Sequence, residues 1–410
     1  MKKILFVINY LILDDEGGNS RFMYLANKLV ETGEYEVEIV TSKFFHAKKR
    51  FRDNDFVSYR NGKIRVKFVH ELGYKKNISL KRIFSNRIFA KSVQNYLNNI
   101  SDEEQPDLIY FSVPSLEYGV NLIKFAKQNK IPTIVDIQDI WPEAFEMVSP
   151  LPGWINKIIF YQFNKMSTFI YQNTDKVFAV SNTYAKIADQ YREKRDSTIV
   201  YLGSDFTRFD SYFKKDRKDN VIKFVYLGTL GHSYDLDTVL QALKLLKETN
   251  RNMKFEFHIL GSGPLENELR RISVILGLSS EVVFHGRLPY SEMVKMLGKF
   301  DIAFNPIRDG AAQSIINKVG DYAAAGLPVI NTQQNEEYRD LVESYNIGIN
   351  TTNNPEKVLN AILEMIMDID RLDTYSKNNR ALGESLFNRK VTYNKLCCEI
   401  YSLIENHPVE

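Results

Sequence analysis

The chain has 410 residues, of which 44% are hydrophobic and 26% are charged, and its net charge is +3. This length exceeds what one hydrophobic core usually supports, so we expect two domains. A charge of +3 gives no argument for nucleic-acid binding by itself, and no apolar run reaches the roughly 18 residues of a transmembrane helix. Cys397 and Cys398 are adjacent and cannot join distant elements, which favours a reduced, cytoplasmic setting.

The chain begins with an apolar run at residues 4–8, which is too short for a signal peptide and predicts a buried strand. Gly17 and Gly18 lie in the loop that follows, a helical pattern starts at Ser20, and a second strand is predicted over 35–41. This order indicates a parallel, doubly wound α/β sheet. A glycine pair before a helix start favours an anionic ligand, and we expect the neighbouring Arg21 to assist in binding it.

Residues 43–91 are strongly basic, because 15 lysines and arginines stand against only Asp53, Asp55 and Glu71. Seven phenylalanines are interleaved with them. Such a composition fits a solvated face over a small core, a nucleic-acid site or an anionic membrane surface. No nucleic-acid motif accompanies the charge, so a membrane surface is favoured over nucleic acid.

Carboxylates follow the strand that is predicted over 133–135, with Asp136 and Asp139 first and Glu143 after Trp141. Open α/β sheets bind ligands at the carboxyl ends of their strands, so Asp139 is the first candidate for ligand contact and Glu143 the second. Trp141 is either a packing residue or part of the ligand site. The apolar, aromatic run 150–171 fits a helix packed on the sheet better than a helix lying on a membrane.

The second half of the chain repeats the order of strand, glycine turn and helix. A strand predicted over 223–227 precedes the turn, and a second strand over 255–260 ends at Gly261. The turn consists of Gly228, Thr229, Leu230 and Gly231. Free backbone amides in such turns suit phosphate groups.

No metal site is predicted. Asp235 and Asp237 match a D-x-D metal motif, but they stand at a predicted helix start, where Asp is a favoured cap. The six histidines show no ligand spacing, and the two adjacent cysteines have no partners in a ligand pattern.

Residues 316–330 combine a short helix, a glycine stop at Gly326 and a strand. Lys318 and Asp321 are three residues apart, so they share one face of that helix. A cation beside a carboxylate near a helix start suits a ligand with phosphates and hydroxyls, because the cation meets the phosphates and the carboxylate accepts from a diol. An exposed surface ion pair is the competing interpretation.

This stretch resembles the C-terminal-domain signature of the GT4 family of retaining glycosyltransferases, P-x-K-x-x-E-Y-x-A-x-G-x-P-V-I, in the branch that builds bacterial surface polysaccharides. Ile316 stands in place of the Pro, and Asp321 stands in place of the Glu. The run from Asp139 to Glu143 resembles the Asp-(Leu/Ile)-Trp-Pro-Glu motif of that branch. Two departures stand out: Gln313 replaces an earlier Glu, and Thr229 occupies a place where many members have a basic residue.

The resemblance covers nearly the whole chain and implies the α/β GT-B fold, in which two Rossmann-like, doubly wound parallel-sheet domains face each other across a cleft. It implies an N-terminal acceptor-side domain over 1–207 and a C-terminal nucleotide-sugar-binding domain over 208–385. A C-terminal helix over 386–410 is expected to cross back to the first domain.

The resemblance also implies the activity. It is retaining, metal-independent transfer of a hexose from a nucleotide-diphosphate sugar, with a UDP-sugar favoured, and no cofactor beyond that donor. The acceptor would be lipid-linked or a polysaccharide, in capsule, O-antigen or exopolysaccharide synthesis. The protein is expected in the cytoplasm, peripheral on the inner face of the membrane through residues 43–91, with no nucleic-acid partner.

The resemblance assigns three groups of site residues. The catalytic residues are Asp139, Lys318 and Asp321. The donor-binding residues are Gly17, Gly18, Gly228, Thr229, Leu230, Gly231, Gly261, Arg287, Leu288, Gln313, Lys318 and Asp321. The acceptor-side residues are Asp139, Trp141 and Glu143.

Two other functions compete with transfer. A nucleotide-sugar 2-epimerase on the same fold would release an isomerised sugar without any acceptor. A non-catalytic scaffold of the same fold would bind partners only, and the departures at Gln313 and Thr229 leave room for it.

Overall fold

A computed structural model describes residues 1–17, 20–76, 79–143, 152–216, 221–311 and 313–406. These residues form two compact units, Met1–Val200 with Tyr393–Glu410, and Tyr201–Thr392. The division falls after Val200 and inside the last helix, whereas the sequence predicts boundaries after residues 207 and 385. The Ser204 amide donates to the Phe387 carbonyl at 2.8 Å, and the Arg389 amide donates to the Ser204 carbonyl at 3.1 Å. These two bonds tie the segment around Ser204 to the second unit.

The first unit is built on an eight-stranded sheet. The strands in chain order are β1 (Lys2–Ile8), β2 (Tyr35–Ser42), β3 (Phe44–Phe45), β4 (Arg50–Phe51), β5 (Phe56–Tyr59), β6 (Ile64–Val69), β7 (Leu108–Val113), β8 (Thr133–Ile137), β9 (Lys176–Ala179) and β10 (Thr198–Ile199). The helices are α1 (Arg21–Val30), α2 (Leu80–Asn98), α3 (Leu116–Gln128), α4 (Gly153–Asn173) and α5 (Asn182–Asp189). The order is β10-β9-β8-β7-β1-β2-β6-β5, and only β5 is antiparallel to its neighbour, while β3 and β4 form a separate antiparallel pair.

The second unit has a six-stranded, fully parallel sheet in the order β13-β12-β11-β14-β15-β16. Its strands are β11 (Ile222–Leu227), β12 (Phe255–Leu260), β13 (Val282–Gly286), β14 (Ile302–Asn305), β15 (Val329–Asn331) and β16 (Gly348–Asn350). Its helices are α6 (Phe206–Tyr212), α7 (Leu236–Thr249), α8 (Glu266–Ile275), α9 (Tyr290–Leu297), α10 (Asn317–Ala324), α11 (Glu336–Ser344), α12 (Pro355–Ile366) and α13 (Ile369–Leu382), and α14 (Arg389–Asn406) follows. The prediction of two doubly wound parallel sheets is confirmed.

Each sheet forms where the sequence offers short apolar runs between helical patterns. In β1 the five residues from Ile4 to Ile8 are all buried, as a central parallel strand requires, and Ile4 lies opposite both Val37 and Leu108. The last helix, α14, contributes Tyr393 and Ile400 to the same core. The hydrophobic core of the first unit therefore includes the end of the chain.

Arg21 lies in the core of the first unit and not at a ligand site. Its guanidinium is 3.2 Å from the Asp136 carboxylate, and the two side chains are only 3% and 0% exposed. Tyr110 donates a short hydrogen bond to Asp136, and the ring of Tyr393 lies 5.3 Å from the guanidinium carbon. The expectation that Arg21 assists an anionic ligand is therefore wrong, because its charge is already matched inside the protein.

Part of the basic segment 43–91 is structural too. Arg52 is 6% exposed and binds both carboxylate oxygens of Glu16, at 2.7 and 2.8 Å. It also donates to the carbonyl oxygens of Ser42 and Leu11, so it joins the loop after β1 to the end of β2. Other basic residues of the segment lie on the surface, among them Lys48, Arg50, Lys81 and Arg87.

Helix α4 packs on the unit mainly through its second half, and Asn156 is the buried residue of its first half. Ser167, Ile170 and Tyr171 are buried, whereas near the start Trp154 is 68% exposed and Ile158 is 69% exposed. The expectation of a helix packed on the sheet is met mainly by the C-terminal half. Within the described ranges, no helix is long and apolar enough to cross a membrane.

We expect Arg21→Met to lower the free energy of unfolding of the first unit by about 3–5 kcal/mol, because it leaves the Asp136 carboxylate buried without its cation. Urea denaturation followed by far-UV circular dichroism measures the change. The exposed pair of Arg60 and Glu31 provides the matched control, and Arg60→Met is expected to cost less than about 1 kcal/mol. Equal effects of the two substitutions would contradict this account.

Candidate functional site

Two glycine turns of the second unit touch at the carboxyl ends of β11 and β12. A Cβ atom added at Gly261 would lie 1.8 Å from the carbonyl oxygen of Gly228, and the φ angles of Gly261 and Gly228 are +154° and +138°. Neither the space nor the backbone conformation admits another residue. The two turns can approach this closely only because both positions are glycine.

The touching turns line a pocket of about 380 Å³. Its walls include five of the predicted donor-binding residues, which are Gly228, Thr229, Gly261, Arg287 and Leu288. The pocket lies at the carboxyl edge of the parallel sheet, where open α/β sheets bind ligands.

The predicted phosphate turn offers fewer amides than the sequence suggests. The amide of Gly228 donates to the Leu260 carbonyl at 2.9 Å, and the amide of Leu230 donates to the Ser262 carbonyl at 3.1 Å. Leu230 is also fully buried, so its assignment as a donor-binding residue is corrected to a packing role. Thr229 and Gly231 keep amides that meet no acceptor in the described part of the chain.

The two helix starts near the pocket differ in their caps. Asp235 caps α7, because its carboxylate accepts from the Thr238 amide and hydroxyl, as the sequence predicts for this aspartate. Helix α10 follows Ile316, which has no side chain able to cap it. In α10 the Val319 amide donates to the Ile316 carbonyl at 3.1 Å, whereas the amides of Asn317 and Lys318 meet no acceptor in the described part of the chain and are open to an anion.

Lys318 is buried at the start of α10 without an acceptor. Its side chain is 6% exposed, and Nζ has no hydrogen-bond partner among the residues described. Nζ lies 3.9 Å from the ring centre of Tyr226 and 3.8 Å from that of Tyr234, and a Cβ atom at Gly228 would lie 3.0 Å from it. Burial lowers the pKa of Lys318 well below its ordinary value, while the two ring faces favour the charged form.

Asp321 lies in the same helix but points to other partners. Ser204 Oγ donates to its Oδ1 at 2.7 Å, and the charge of Arg389 acts on it. Burial raises the pKa of Asp321 to about 6, against the opposing effects of these two groups. Lys318 and Asp321 form no ion pair with each other, so the alternative of an exposed surface pair is wrong.

Gln313 lies on the approach to α10. Its carbonyl oxygen accepts from the side-chain amide of Gln333 at 2.6 Å, while its own Oε1 is buried without a partner in the described ranges. The residue that replaces the Glu of the family pattern is thus held near the site by its backbone.

The acceptor-side residues lie at the carboxyl edge of the first unit. Burial raises the pKa of Asp139 to about 6, opposed by a hydrogen bond from the Ile140 amide at 3.0 Å and by the charge of Arg82. Trp141 is 7% exposed beneath the Arg82 guanidinium, so it packs and does not offer a ring face for a ligand. Glu143 is half-buried at the end of this loop.

The first glycine loop is described only in part. Gly17 has a φ angle of +81° and open space around it, at the end of a 3₁₀ turn formed by Asp14–Glu16. Gly18 lies outside the described residues. No group of three or more His, Cys, Asp or Glu side chains within the described ranges could hold a metal ion.

Sequence reasoning missed the surroundings of the two charged site residues. Tyr226 and Tyr234 enclose Lys318, and Ser204 and Arg389 hold Asp321. Tyr226 stands two residues before the glycine turn, where an aromatic residue could have been noticed. Ser204 and Arg389 are 185 residues apart in the sequence, and no local pattern connects them.

A family model described as Glycosyl transferases group 1 matches residues 222–368. The putative colanic acid biosynthesis glycosyltransferase WcaL of Escherichia coli is 25% identical over 240 residues, which cover 57% of this chain and 58% of that protein. The chain therefore aligns with less than two thirds of the length of this relative.

Two solved structures share the fold over nearly the whole chain. HepE of Anabaena, in complex with UDP, has a TM-score of 0.67 at 16% identity and covers 98% of this chain and 100% of that one. WaaG, a glycosyltransferase involved in lipopolysaccharide biosynthesis, has a TM-score of 0.66 at 15% identity and covers 97% and 99%. The predicted GT-B fold is confirmed, residues 222–368 match the Glycosyl transferases group 1 model, and the chain resembles a glycosyltransferase of polysaccharide biosynthesis over 57% of its length.

Proposed function

We propose that this protein is a retaining glycosyltransferase that moves a hexose from a nucleotide-diphosphate sugar to a lipid-linked or polysaccharide acceptor. The observation that carries the proposal is the Lys318 amine. It is buried beside touching glycine turns and a helix start that no side chain caps, and it has no acceptor within the described ranges. Burying such an amine is costly unless a bound anion accepts its hydrogen bonds and matches its charge. A diphosphate has the required charge and size.

The donor would lie along the carboxyl edge of the second sheet. Lys318, the first amides of α10 and the amides of Thr229 and Gly231 would hold the diphosphate, and Asp321 would accept from the ribose hydroxyls. Arg287 and Leu288 would meet the base. A UDP-sugar is favoured because HepE, a structural relative, was crystallised with UDP.

The proposed chemistry retains the configuration of the sugar. The acceptor oxygen forms a bond to the anomeric carbon on the face from which the diphosphate leaves, and the bond from that carbon to the phosphate oxygen breaks. The proton of the acceptor hydroxyl passes to the leaving phosphate oxygen. Asp139 would orient the acceptor hydroxyl, and Lys318 would stabilise the leaving charge without a metal ion. NMR of the product's anomeric proton distinguishes retention from inversion.

We further propose a cytoplasmic protein that binds the inner face of the membrane. Free cysteines at 397 and 398 support a reducing compartment. Near the start of α2 the apolar residues Leu80 and Phe84 are 75% and 56% exposed, beside the exposed Lys81 and Arg87. Basic and apolar side chains together favour an anionic lipid surface.

Lys318→Met is expected to abolish stabilisation by UDP and to weaken its affinity roughly 10- to 100-fold, since a charged hydrogen bond to phosphate is lost. The melting temperature without ligand is expected to stay equal or to rise, because the substitution removes a buried amine without a partner. A thermal-shift screen with UDP, GDP, dTDP and CMP measures both effects.

The control for this experiment is Lys295→Met, which removes an exposed lysine of α9 and should leave the UDP response unchanged. No response of the unsubstituted protein to any nucleotide would contradict the transferase proposal and favour the scaffold. A lower melting temperature of Lys318→Met without ligand would contradict the account of its burial.

UDP affinity is expected to fall as the pH is lowered from 7 to 5, because protonation of Asp321, whose pKa is about 6, removes the acceptor for the ribose. The folding stability of the protein without ligand depends on pH in the opposite direction at Asp321. Its folded-state pKa lies above the ordinary 3.8, so protonation below pH 6 favours the folded state. Calorimetric titration of UDP at several pH values tests the first effect.

Asp321→Asn should bind UDP weakly and with little dependence on pH between 5 and 7. The matched control, Asp340→Asn, changes an exposed aspartate of α11 and should keep the pH dependence of the original protein. If UDP affinity in Asp321→Asn depended on pH as it does in the unsubstituted protein, Asp321 would not be a donor-binding residue.

The double substitution Lys81→Glu and Arg87→Glu is expected to reduce flotation with phosphatidylglycerol vesicles, at a cost of about 1 kcal/mol for each basic residue removed. Flotation with phosphatidylcholine vesicles serves as the comparison, and Lys295→Glu in the second unit is the matched charge control. Equal flotation of the unsubstituted protein with both lipids would refute the membrane surface.

A further inference from the structure

The carboxyl edge of the first sheet gathers side chains that the donor site does not use. Tyr10 follows β1, His46 and Lys49 lie in the turn between β3 and β4, Tyr74 follows β6, and Arg82 lies in the first turn of α2. His46, Lys49 and Arg82 are called the basic cluster below. They reach the edge of the sheet at which parallel α/β proteins bind ligands.

The Arg82 guanidinium contacts three aromatic rings. Its guanidinium carbon is 5.3 Å from the ring centre of Tyr10, 5.7 Å from that of Tyr74 and 4.9 Å from that of Trp141. Its Nε and one terminal nitrogen donate to Tyr10 Oη at 3.3 and 3.1 Å. Because the rings lie under the guanidinium, its orientation is set before any ligand arrives.

Lys49 lies over one of these rings, that of Tyr74. Its Nζ is 4.5 Å from the ring centre of Tyr74 and 3.2 Å from His46 Nδ1, and Tyr74 Oη also contacts that nitrogen. An ammonium group only donates, so His46 Nδ1 accepts and the imidazole proton lies on Nε2. His46 therefore adds a neutral N–H donor to the two cations.

The backbone at Lys49 has a left-handed conformation. Its φ angle is +52°, which residues other than glycine seldom adopt. The adjacent Lys48 is exposed, whereas Lys49 is half-buried. The turn thus directs one lysine of a neighbouring pair into the cluster, at a conformational cost.

The electrostatic field at the cluster is positive. Burial, together with the charges of Lys49 and Arg82, lowers the pKa of His46 to about 3. Burial also lowers the pKa of Lys49, and the repulsion from Arg82 exceeds the attraction from Glu71. Among the residues that the structure describes, two acids act on the cluster: Glu71, which is buried and accepts from Ser85 at 2.6 Å, and Asp139. Neither of them lifts the pKa of His46.

We propose that Lys49, Arg82 and His46 bind an anionic group of the acceptor, either a phosphate or a carboxylate. The cations of Lys49 and Arg82 lie against the ring of Tyr74, and His46 lies beside Lys49, where the acceptor side of the transferase is expected. Asp139 lies within the field of Arg82. This inference rests on the proposed function, because it names the class of acceptor for that activity.

The test is calorimetric titration of the full chain saturated with UDP, so that the donor site is filled. The probes are glucose 1-phosphate, methyl glucuronide and neutral methyl glucoside. At least one anionic probe is expected to bind while methyl glucoside does not, and Lys49→Ala and Arg82→Gln should each weaken that binding roughly tenfold or more. Lys48→Ala is the matched control and should bind as the unsubstituted protein does.

A second readout separates binding from a structural role of Arg82. An anion at the cluster should raise the pKa of His46 from about 3, as followed by ¹⁵N NMR of its imidazole. Each variant should keep its UDP thermal shift, which shows that it is folded. Loss of anion binding in Lys48→Ala equal to that in Lys49→Ala would overturn the proposal.

Vesicles distinguish the source of the anion. Phosphatidylcholine vesicles carrying a long-chain isoprenyl phosphate are compared with glucose 1-phosphate, and Lys49→Ala should weaken whichever of the two binds. Binding of the vesicles alone assigns the site to a lipid phosphate, and binding of glucose 1-phosphate assigns it to a sugar phosphate. If no anionic probe binds while UDP still does, the subsite is refuted and the transferase proposal stands.

Discussion

The burial of the Lys318 amine, which has no acceptor among the described residues, is the constraint around which the candidate site of the second unit is built. Lys318 is placed between two tyrosine rings, under a glycine turn that leaves no room for a side chain. Burying such a group lowers stability, and the protein retains it beside open amides at the start of α10. The buried amine therefore lowers the free energy of unfolding at a place where a bound anion would raise it again. An unmatched polar group in an otherwise well-packed region usually marks a functional site.

Each unit also carries a carboxyl group with a pKa of about 6, but different neighbours oppose the shift. Asp321 is opposed by Ser204 and Arg389, and Asp139 by the Ile140 amide and Arg82. In both cases burial dominates, so both groups change protonation near neutral pH. Raised pKa values at the carboxyl edges of two parallel sheets are characteristic of groups that contact a ligand, and they arise from the sheet architecture because the loops there cover the side chains.

Several residues that look similar in the sequence have opposite roles in the structure. Arg21 and Arg82 are both basic residues near helix starts, yet Arg21 is neutralised by Asp136 inside the core and Arg82 lies on aromatic rings at the edge of the sheet. The two helix starts of the second unit likewise differ, since a carboxylate caps α7 and nothing caps α10. Local patterns predicted the strands, glycine turns and helix starts around these residues, but they could not tell which charges were already paired.

The sequence by itself determined the order of strands and helices, the two parallel sheets, the glycine turns and the positions of Lys318, Asp321 and Asp139. These features follow from short-range periodicity and from residue types at fixed spacing, which a linear chain displays directly. Only the tertiary structure decided that Lys318 lacks an acceptor, that Asp321 is held by Ser204, that Leu230 is a packing residue and that α14 belongs to the first core. Each of these depends on contacts between residues far apart in the chain, and burial and charge pairing exist only once those contacts have formed.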